Sequence, residues 1–334
     1  MTPDTRKMGA PMVSIPVISR PTTENSAIDT PTIDTSATDT PTTDTPNTFS
    51  LTLSAPAGIS LAGLPVVTIP AASSSTVSAQ MVNAPMISIV IPAYNESRRL
   101  PSTLDKILKY LESHPWNAEV IVVDDGSTDQ TAAIVRGYAE RNRMVRLLEN
   151  PGNRGKGYSI RNGMLHAGGD ILLFTDADYP CPMSELEKLI EGLSMGNDVV
   201  IGSRRLGGAR QTKPQPLHRR MLGRIFNHLT SMLLDLDFKD TQCGAKAFSR
   251  RAAGAIFRLQ RTERWGFDPE LLVLARMMGY RIKEISVTVS HDEGSRISPI
   301  QDGFRMLRDL MEISRYEREN MYLPEILKLV EATN

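Results

Sequence analysis

Two aspartates stand two residues apart in Thr175-Asp-Ala-Asp178, directly after the apolar run Ile171–Phe174. After a buried strand, Asp176 and Asp178 cannot both point into a core. A bend there lets both reach one hard cation, Mg2+ or Mn2+, which takes its remaining ligands from water and phosphate oxygens and so clamps a diphosphate. A second carboxylate pair, Asp124 and Asp125, opens Asp124-Asp-Gly-Ser-Thr-Asp129 after Val120–Val123. Adjacent like charges are unfavourable unless donors or cations meet them, and a base edge or ribose offers such donors. A plain capped turn would account for Gly126, Ser127 and Asp129, but not for two carboxylates side by side. Asn153-Arg-Gly-Lys-Gly157 sets glycines and Lys156 before a helical pattern, where backbone amides and an ammonium could meet a phosphate. The same residues also suit a solvated turn. Pro92-Ala-Tyr-Asn-Glu96 follows the run Ile87–Ile91.

These motifs need elements that hold them together. Ile87–Ile91, Val120–Val123, Val145–Leu148, Ile171–Phe174 and Val199–Ile201 read as short strands rich in β-branched residues. Between them lie helical patterns. Leu104, Ile107, Leu108 and Leu111 recur at i, i+3, i+4 and i+7, and Pro101 suits a first turn. Ser127 with Gln130 reads as a capping box ahead of Ile134, Val135 and Tyr138. Further helices are expected over about 157–167 and around Leu186–Leu193. Strand–helix alternation predicts a parallel sheet with helices on both faces. Ligands of such sheets bind outside the carboxyl ends of the strands, where every polar motif falls.

Composition narrows the class. Lys plus Arg number 38, as do Asp plus Glu; the first 80 residues hold three basic against six acidic side chains, leaving the remainder slightly basic. No concentrated basic stretch suggests nucleic acid. Two cysteines, Cys181 and Cys243, are too few for a disulfide scaffold or zinc ribbon and read as reduced thiols. His228 and His291 stand alone and read as structural. No apolar run approaches the roughly 20 residues of a membrane span, and no apolar stretch backs the N-terminal charges as in a signal peptide. A cytoplasmic protein is expected, peripheral on the cytoplasmic face of a membrane. Residues 1–83 are Thr/Pro/Ser-rich, then Ala/Ser/Pro-rich, with no sustained period, and are expected to be disordered. A chain starting at Met81 should therefore keep its activity and melting temperature; a large fall in melting temperature would contradict this.

The motifs Pro92–Glu96, Asp124–Asp129, Asp176-Ala-Asp178 and Gly202-Ser-Arg204, in this order and each behind its own strand, resemble the family 2 glycosyltransferases. The resemblance covers about 86–315. It implies a GT-A fold, a Rossmann-like and mostly parallel sheet flanked by helices, over 84–296, with a helical extension over 297–334. Asp240–Phe248, Trp265–Leu272, His291–Arg296 and Phe304–Leu310 look like the polyprenyl-phosphate hexosyltransferases, most of all the dolichyl-phosphate β-glucosyltransferases.

The resemblance also implies roles. Pro92, Tyr94 and Glu96 line the nucleoside pocket with Asp124 and Asp125, and Asp125 reads the pyrimidine edge. Lys156 and Arg161 belong to the nucleotide-sugar site. Asp176 and Asp178 hold the donor diphosphate through Mg2+ or Mn2+. Arg204 and Arg296 meet phosphate oxygens of donor or acceptor. Gln242, Lys246, Trp265, Asp268 and Glu270 shape the sugar and acceptor side. The catalytic set is then Asp178, Arg204, Asp268 and Arg296. The expected reaction moves a hexose, glucose from UDP-glucose, with inversion onto a polyprenyl or dolichyl monophosphate. Such an acceptor is already anionic near pH 7, its second pKa being about 6, so it needs charge screening rather than a base. Arg204, Arg205, Arg210, Arg219, Arg220 and Arg296 are candidates for that. A hydroxyl acceptor on a glycan would instead require Asp268 or Glu270 as base. A silent sugar-nucleotide-binding protein is the third reading, against which the intact Asp176 and Asp178 speak. Residues 205–216 suggest a lid over the acceptor. A helix over 217–234 carries Leu217, Met221, Ile225, Leu229 and Met232 on one side, beside Arg219, Arg220, Arg224 and His228. Such a helix suits a membrane interface, though packing on the core explains it equally.

Overall fold

The structure is a computed structural model, and it describes residues 85–209, 217–289 and 301–331. The expectations for residues 1–83, for most of the 205–216 loop, and for Arg296 and His291 fall outside those residues.

Seven strands form one sheet in the order β3-β2-β1-β4-β6-β5-β7. They are β1 (Ile87–Ala93), β2 (Ala118–Asp124), β3 (Val145–Glu149), β4 (Ile171–Phe174), β5 (Val199–Ser203), β6 (Lys246–Ser249) and β7 (Ile282–Ser286). Helices α1 (Leu100–Glu112), α2 (Thr131–Arg141), α3 (Lys156–His166) and α4 (Met183–Ser194) connect the first five strands. Strands β1, β2, β4 and β5 are covered on both faces, which is why Val, Ile and Leu dominate both faces of each rather than alternating with polar residues. Alternation along each strand still divides the core. Ile89, Ile91, Val120, Val122 and Leu173 pack with α1 and α4 on one face. Val90, Ile121, Val123, Leu172 and Phe174 pack on the other with α3, α6 (Arg250–Leu259) and α7 (Phe267–Met277). Leu310 and Ile313 of α8 (Gln301–Arg318) and Ile326 of α9 (Leu323–Glu331) join this second core.

The sheet is mostly parallel, as expected, and β6 is the exception. This strand runs antiparallel to both β4 and β5, with Lys246 opposite Phe174. The chain re-enters the sheet beside the carboxyl end of β4, so β6 begins at the rim where the polar motifs lie.

The strand order reverses at β1, which has β2 on one side and β4 on the other. Pairing of β1 with β4 stops at Val90 opposite Phe174, while pairing with β2 continues to Ala93 opposite Asp124. A crevice therefore opens between β1 and β4 at the switch point. Val90 O still accepts from Thr175 N, so position 90 faces β4. Two residues on, Pro92 faces the same way, where β4 has already ended. Its missing N–H therefore breaks no ladder bond.

Candidate active site

The first two polar loops are stitched into one unit by Asn95, a residue the sequence reading did not single out. Asn95 takes a left-handed backbone (φ 54°), which Asn tolerates better than most residues. Its Oδ1 accepts from Thr128 N at 2.8 Å and Asp129 N at 3.3 Å. Its own N donates to Ser127 Oγ at 2.8 Å, and Glu96 N donates to Thr131 Oγ1 at 2.8 Å. Ser127 therefore makes no capping box: α2 starts later, at Thr131, where Asp129 Oδ1 accepts from Thr131 N at 2.9 Å. Gly126 (φ +73°) lies so close to the next loop that a Cβ would stand 2.6 Å from Gly152.

Of the two adjacent carboxylates, Asp125 is the more occupied. Its Oδ1 accepts from Asn150 Nδ2 at 2.8 Å and Arg154 N at 3.0 Å, and its Oδ2 from Gly155 N at 2.8 Å. Asp125 thus organises the 150–155 loop. Asp124 Oδ2 accepts from Ser127 N at 3.1 Å, whereas its Oδ1 is buried without a partner.

The carboxylates after β4 form the charged centre. Asp176 Oδ1 meets Lys156 Nζ, at the start of α3, at 2.6 Å. The ammonium lies 5.5 Å from the Trp265 ring centroid. Burial alone would lower the Lys156 pKa, but Asp176, Asp268 and Asp178 together hold it above its ordinary value. Asp178 Oδ2 lies 3.8 Å from Arg99 Nη1, and Arg99 also grips Glu96 through two bonds of 2.7 and 2.8 Å. Asp178 Oδ1 is buried with no hydrogen bond. Burial first, and the neighbouring Asp176 second, push the Asp178 carboxyl up to about 6. An orphaned, desolvated carboxylate beside a second one is a site that a divalent cation would relieve. No group of three His, Cys, Asp or Glu converges among the described residues, so the pair fits an ion that completes its shell with phosphate and water.

Gly244 enforces this geometry. A Cβ there would stand 2.5 Å from Asp176 Oδ2. Because the obstructing atom is a side-chain end, Gly244→Ala should cost little stability and push Asp176 aside. A fall in transfer rate of about tenfold or more, with melting temperature within a few degrees of wild type, is the expected pair of readings; unchanged activity would contradict it.

Other expected site residues are engaged elsewhere. Arg204 is closed on Asp240, with Nε and Nη2 at 2.7 and 2.8 Å, and Asp240 also accepts from Arg204 N. Its fork ties the end of β5 to the 240 loop, with the side chain still 26% exposed. Lys246 is fully buried; its Nζ donates to Asp268 Oδ1 at 2.5 Å and Cys243 O at 2.7 Å. It anchors Asp268. Glu270 is also fully buried. It accepts from Arg261 N, Thr262 N and Tyr322 Oη at 2.7–2.8 Å. Arg161 donates to Gln260 O at 2.9 Å and braces the loop after α6. Tyr94 is exposed and Pro92 partly exposed at the crevice. Gln242 is partly exposed two residues before Gly244.

The molecule can be set beside known proteins. A dolichyl-phosphate beta-glucosyltransferase of Trichomonas vaginalis is 39% identical over 247 residues, spanning 71% of this chain and 75% of its own. The Homo sapiens dolichyl-phosphate beta-glucosyltransferase is 37% identical over 240 residues, 68% of this chain and 74% of its own. Among solved structures, glucosyl-3-phosphoglycerate synthase from Mycobacterium tuberculosis, in complex with Mn2+, UDP and glucosyl-3-phosphoglycerate, superposes with a TM-score of 0.52. It is 22% identical and covers 70% of this chain and 80% of that one. A complex of the same synthase with Mg2+ and UDP gives 0.50, at 22% identity over 70% and 79%. At that identity the likeness concerns the fold, which is of the GT-A type. The model of the family described as glycosyl transferase family 2 matches residues 88–257, the stretch that runs from β1 through α6 and carries both carboxylate pairs, and the chain belongs to that family.

Proposed function

We propose that this glycosyltransferase moves glucose, with inversion, from UDP-glucose to a dolichyl or related polyprenyl monophosphate. The relatives' activity supports the acceptor. The observation that carries the reading is the state of the carboxylates a hydroxyl acceptor would need. Glu270 has three donors on its two oxygens, and Asp268 Oδ1 is taken by a buried ammonium. A phosphate acceptor arrives anionic and needs neither.

The donor would lie in the crevice between β1 and β4, with Tyr94 and Asp124 on the nucleoside side and Lys156 toward the diphosphate. Asp176 and Asp178 would hold Mg2+ or Mn2+, which when bound neutralises charge on the leaving diphosphate. Arg99 spans Glu96 and Asp178 and so couples the nucleoside loop to the carboxylates. Arg296 remains part of the proposal as a cation for the incoming phosphate.

The proposal includes peripheral contact with the cytoplasmic face of a membrane. No helix among the described residues is long and apolar enough to cross one. On α5 (Leu217–Leu234), Thr230 and Leu234 are buried while Met221, Ile225 and Met232 are exposed. The helix therefore packs by one edge and presents an apolar stripe on another. Phe304 and Met311 of α8, which packs against α5, are exposed too. Apolar side chains beside exposed Arg224 and His228 suit an anionic interface.

The test is transfer of label from UDP-glucose into the organic phase, with Mn2+ or Mg2+ and vesicles bearing polyprenyl phosphate. Label entering soluble glycans instead would overturn the acceptor; donor binding without turnover would overturn the enzyme. Metal binding has its own pH signature. With its pKa raised to about 6, Asp178 is protonated below that pH, and a cation must displace the proton. Mn2+ affinity should level off above about pH 6 and fall by up to tenfold per unit below it. Calorimetric titration from pH 5 to 8 checks this, and a flat profile would remove Asp178 from the metal site.

A further inference from the structure

A cleft of 330 Å³ lies between the segment 261–264 and α8. Arg261, Arg264, Arg305 and Arg308 line it, with Tyr316 at one wall. Three acids, Glu263, Asp309 and Glu312, line it as well. Glu263 is held from outside by Arg154 at 2.9 Å and Arg161 at 3.7 Å. Glu312 is 3.8 Å from Arg308. Burial pushes the Asp309 carboxyl above its ordinary range. Arg261 is committed, stacking on Tyr316 and Tyr322 and donating to Met321 O. Arg264 is exposed, with no acidic partner among the described residues. Four guanidinium groups and three carboxylates thus surround a space that would hold a phosphate and its first attachments.

Two further features say what kind of phosphate fits. Phe304, Arg308 and Met311 follow one another at i, i+4 and i+7 on α8, so they share a face. Phe304 and Met311 are 72% and 52% exposed, an apolar side chain on either side of the arginine. The ligand's chemistry is therefore that of an amphiphile, an anionic head with an apolar tail. The second feature is the wall that the cleft shares with the donor site. A Cβ on Gly155 or Gly157 would press on Glu263 O and Thr262 O at 2.7 and 2.6 Å, so the Lys156 turn leans on this segment. Arg264 precedes Trp265, whose ring faces the Lys156 ammonium.

We propose that this cleft captures the acceptor's phosphate, a phosphate monoester carried on a polyprenyl chain. Arg264 and Arg308 are its ligands, and Phe304 and Met311 receive the start of the chain. The inference rests on the acceptor reading above and gives it a place. It also answers the electrostatic difficulty of that reaction. Two anionic groups must approach each other, and an arginine cleft one segment away from the donor screens the incoming one.

The test pairs kinetics with binding in the full chain. In the double variant Arg264→Ala/Arg308→Ala, the acceptor KM should rise tenfold or more, the loss expected for charge-assisted hydrogen bonds to a phosphate. UDP affinity should be unchanged, and kcat at saturating acceptor should fall far less than KM rises. Arg264→Lys should recover part of the loss. Both side chains are exposed, so the melting temperature should hold. Retention on neutral vesicles containing polyprenyl phosphate should drop for the double variant and for Phe304→Ala. Retention on vesicles containing phosphatidylserine should change less, and inorganic phosphate should compete weakly. If wild type transfers glucose to the lipid but the double variant keeps its acceptor KM, the subsite is wrong and the function stands. An equal loss on phosphatidylserine vesicles makes the cleft a general anionic-lipid contact and overturns the acceptor assignment. If wild type glucosylates no lipid phosphate, the functional reading fails first. Equal retention of wild type and double variant on the polyprenyl-phosphate vesicles then removes the subsite as well.

Discussion

Asp178→Ala is expected to abolish transfer while leaving the metal-free protein as stable as wild type, or more so. Several kilocalories of transition-state stabilisation depend on a cation that neutralises the departing diphosphate, and each 1.36 kcal/mol is about a factor of ten in rate. Loss of one of two protein carboxylates should therefore cost on the order of a thousandfold or more. The stability effect has the opposite sign to that of most buried deletions. Asp178 Oδ1 is buried without a hydrogen bond, and burial with Asp176 raises its pKa to about 6. Near pH 7 the folded state therefore carries a carboxylate it would rather protonate. Removing it relieves roughly 1–3 kcal/mol of desolvation, or a few degrees in melting temperature. The sign can be checked by acidification. A group whose folded pKa is raised gives stability that is full below its ordinary carboxylate value and lost as pH rises through about 6. Asp178→Ala should thus be the more stable of the two metal-free proteins at pH 7 but not at pH 4. Near-normal transfer by the variant in the presence of metal would remove the clamp. A sharp fall in its melting temperature would show that Asp178 supports the fold instead.

What was legible in the sequence follows the range of the forces involved. The inner strands are covered on both faces, so Ile87–Ile91, Val120–Val123 and Ile171–Phe174 announce themselves by composition alone. Loops that follow such strands must lie at one edge of the sheet, so the grouping of Pro92–Glu96, Asp124–Asp129 and Asp176–Asp178 was legible too. The direction of β6 was not. Four residues, Lys246–Ser249, carry no period, and their orientation depends on where the chain re-enters the sheet. The charge pairings were equally hidden. Arg204 meets Asp240 across 36 positions and Lys246 meets Asp268 across 22. A motif shows that a side chain is charged, not which distant neighbour will neutralise it. The same limit misassigned Ser127: its hydroxyl looked like a helix cap until Asn95, 32 positions earlier, claimed it.

Asp268→Asn is expected to destabilise the protein strongly, and that separates two meanings of any activity it loses. Lys246 is fully buried, and Asp268 Oδ1 is its counter-charge at 2.5 Å; the backbone carbonyl of Cys243 is its other partner. Removing one partner of a buried pair leaves an uncompensated charge and costs about 3–5 kcal/mol. For a domain of this size that is roughly 6–20 °C in melting temperature. Lys246→Met should be damaging for the converse reason. The double variant Lys246→Met/Asp268→Asn removes both charges together and should recover most of the loss, a non-additivity expected only if the two side chains act as a unit. That double variant is the proper protein in which to ask whether Asp268 is a base. A lost general base typically costs a factor of about 100 to 10,000 and removes the limb of the pH–rate profile that rises with pH. If the acceptor is a lipid phosphate, the rising limb belongs to the acceptor's own second ionisation near pH 6 and should survive. The rate should then fall about tenfold or less, through lost positioning of the α7 start. A folded double variant that loses several orders of magnitude together with that limb would identify Asp268 as a true base. The acceptor would then have to be a hydroxyl, reached through the carboxylate oxygen that Lys246 leaves open.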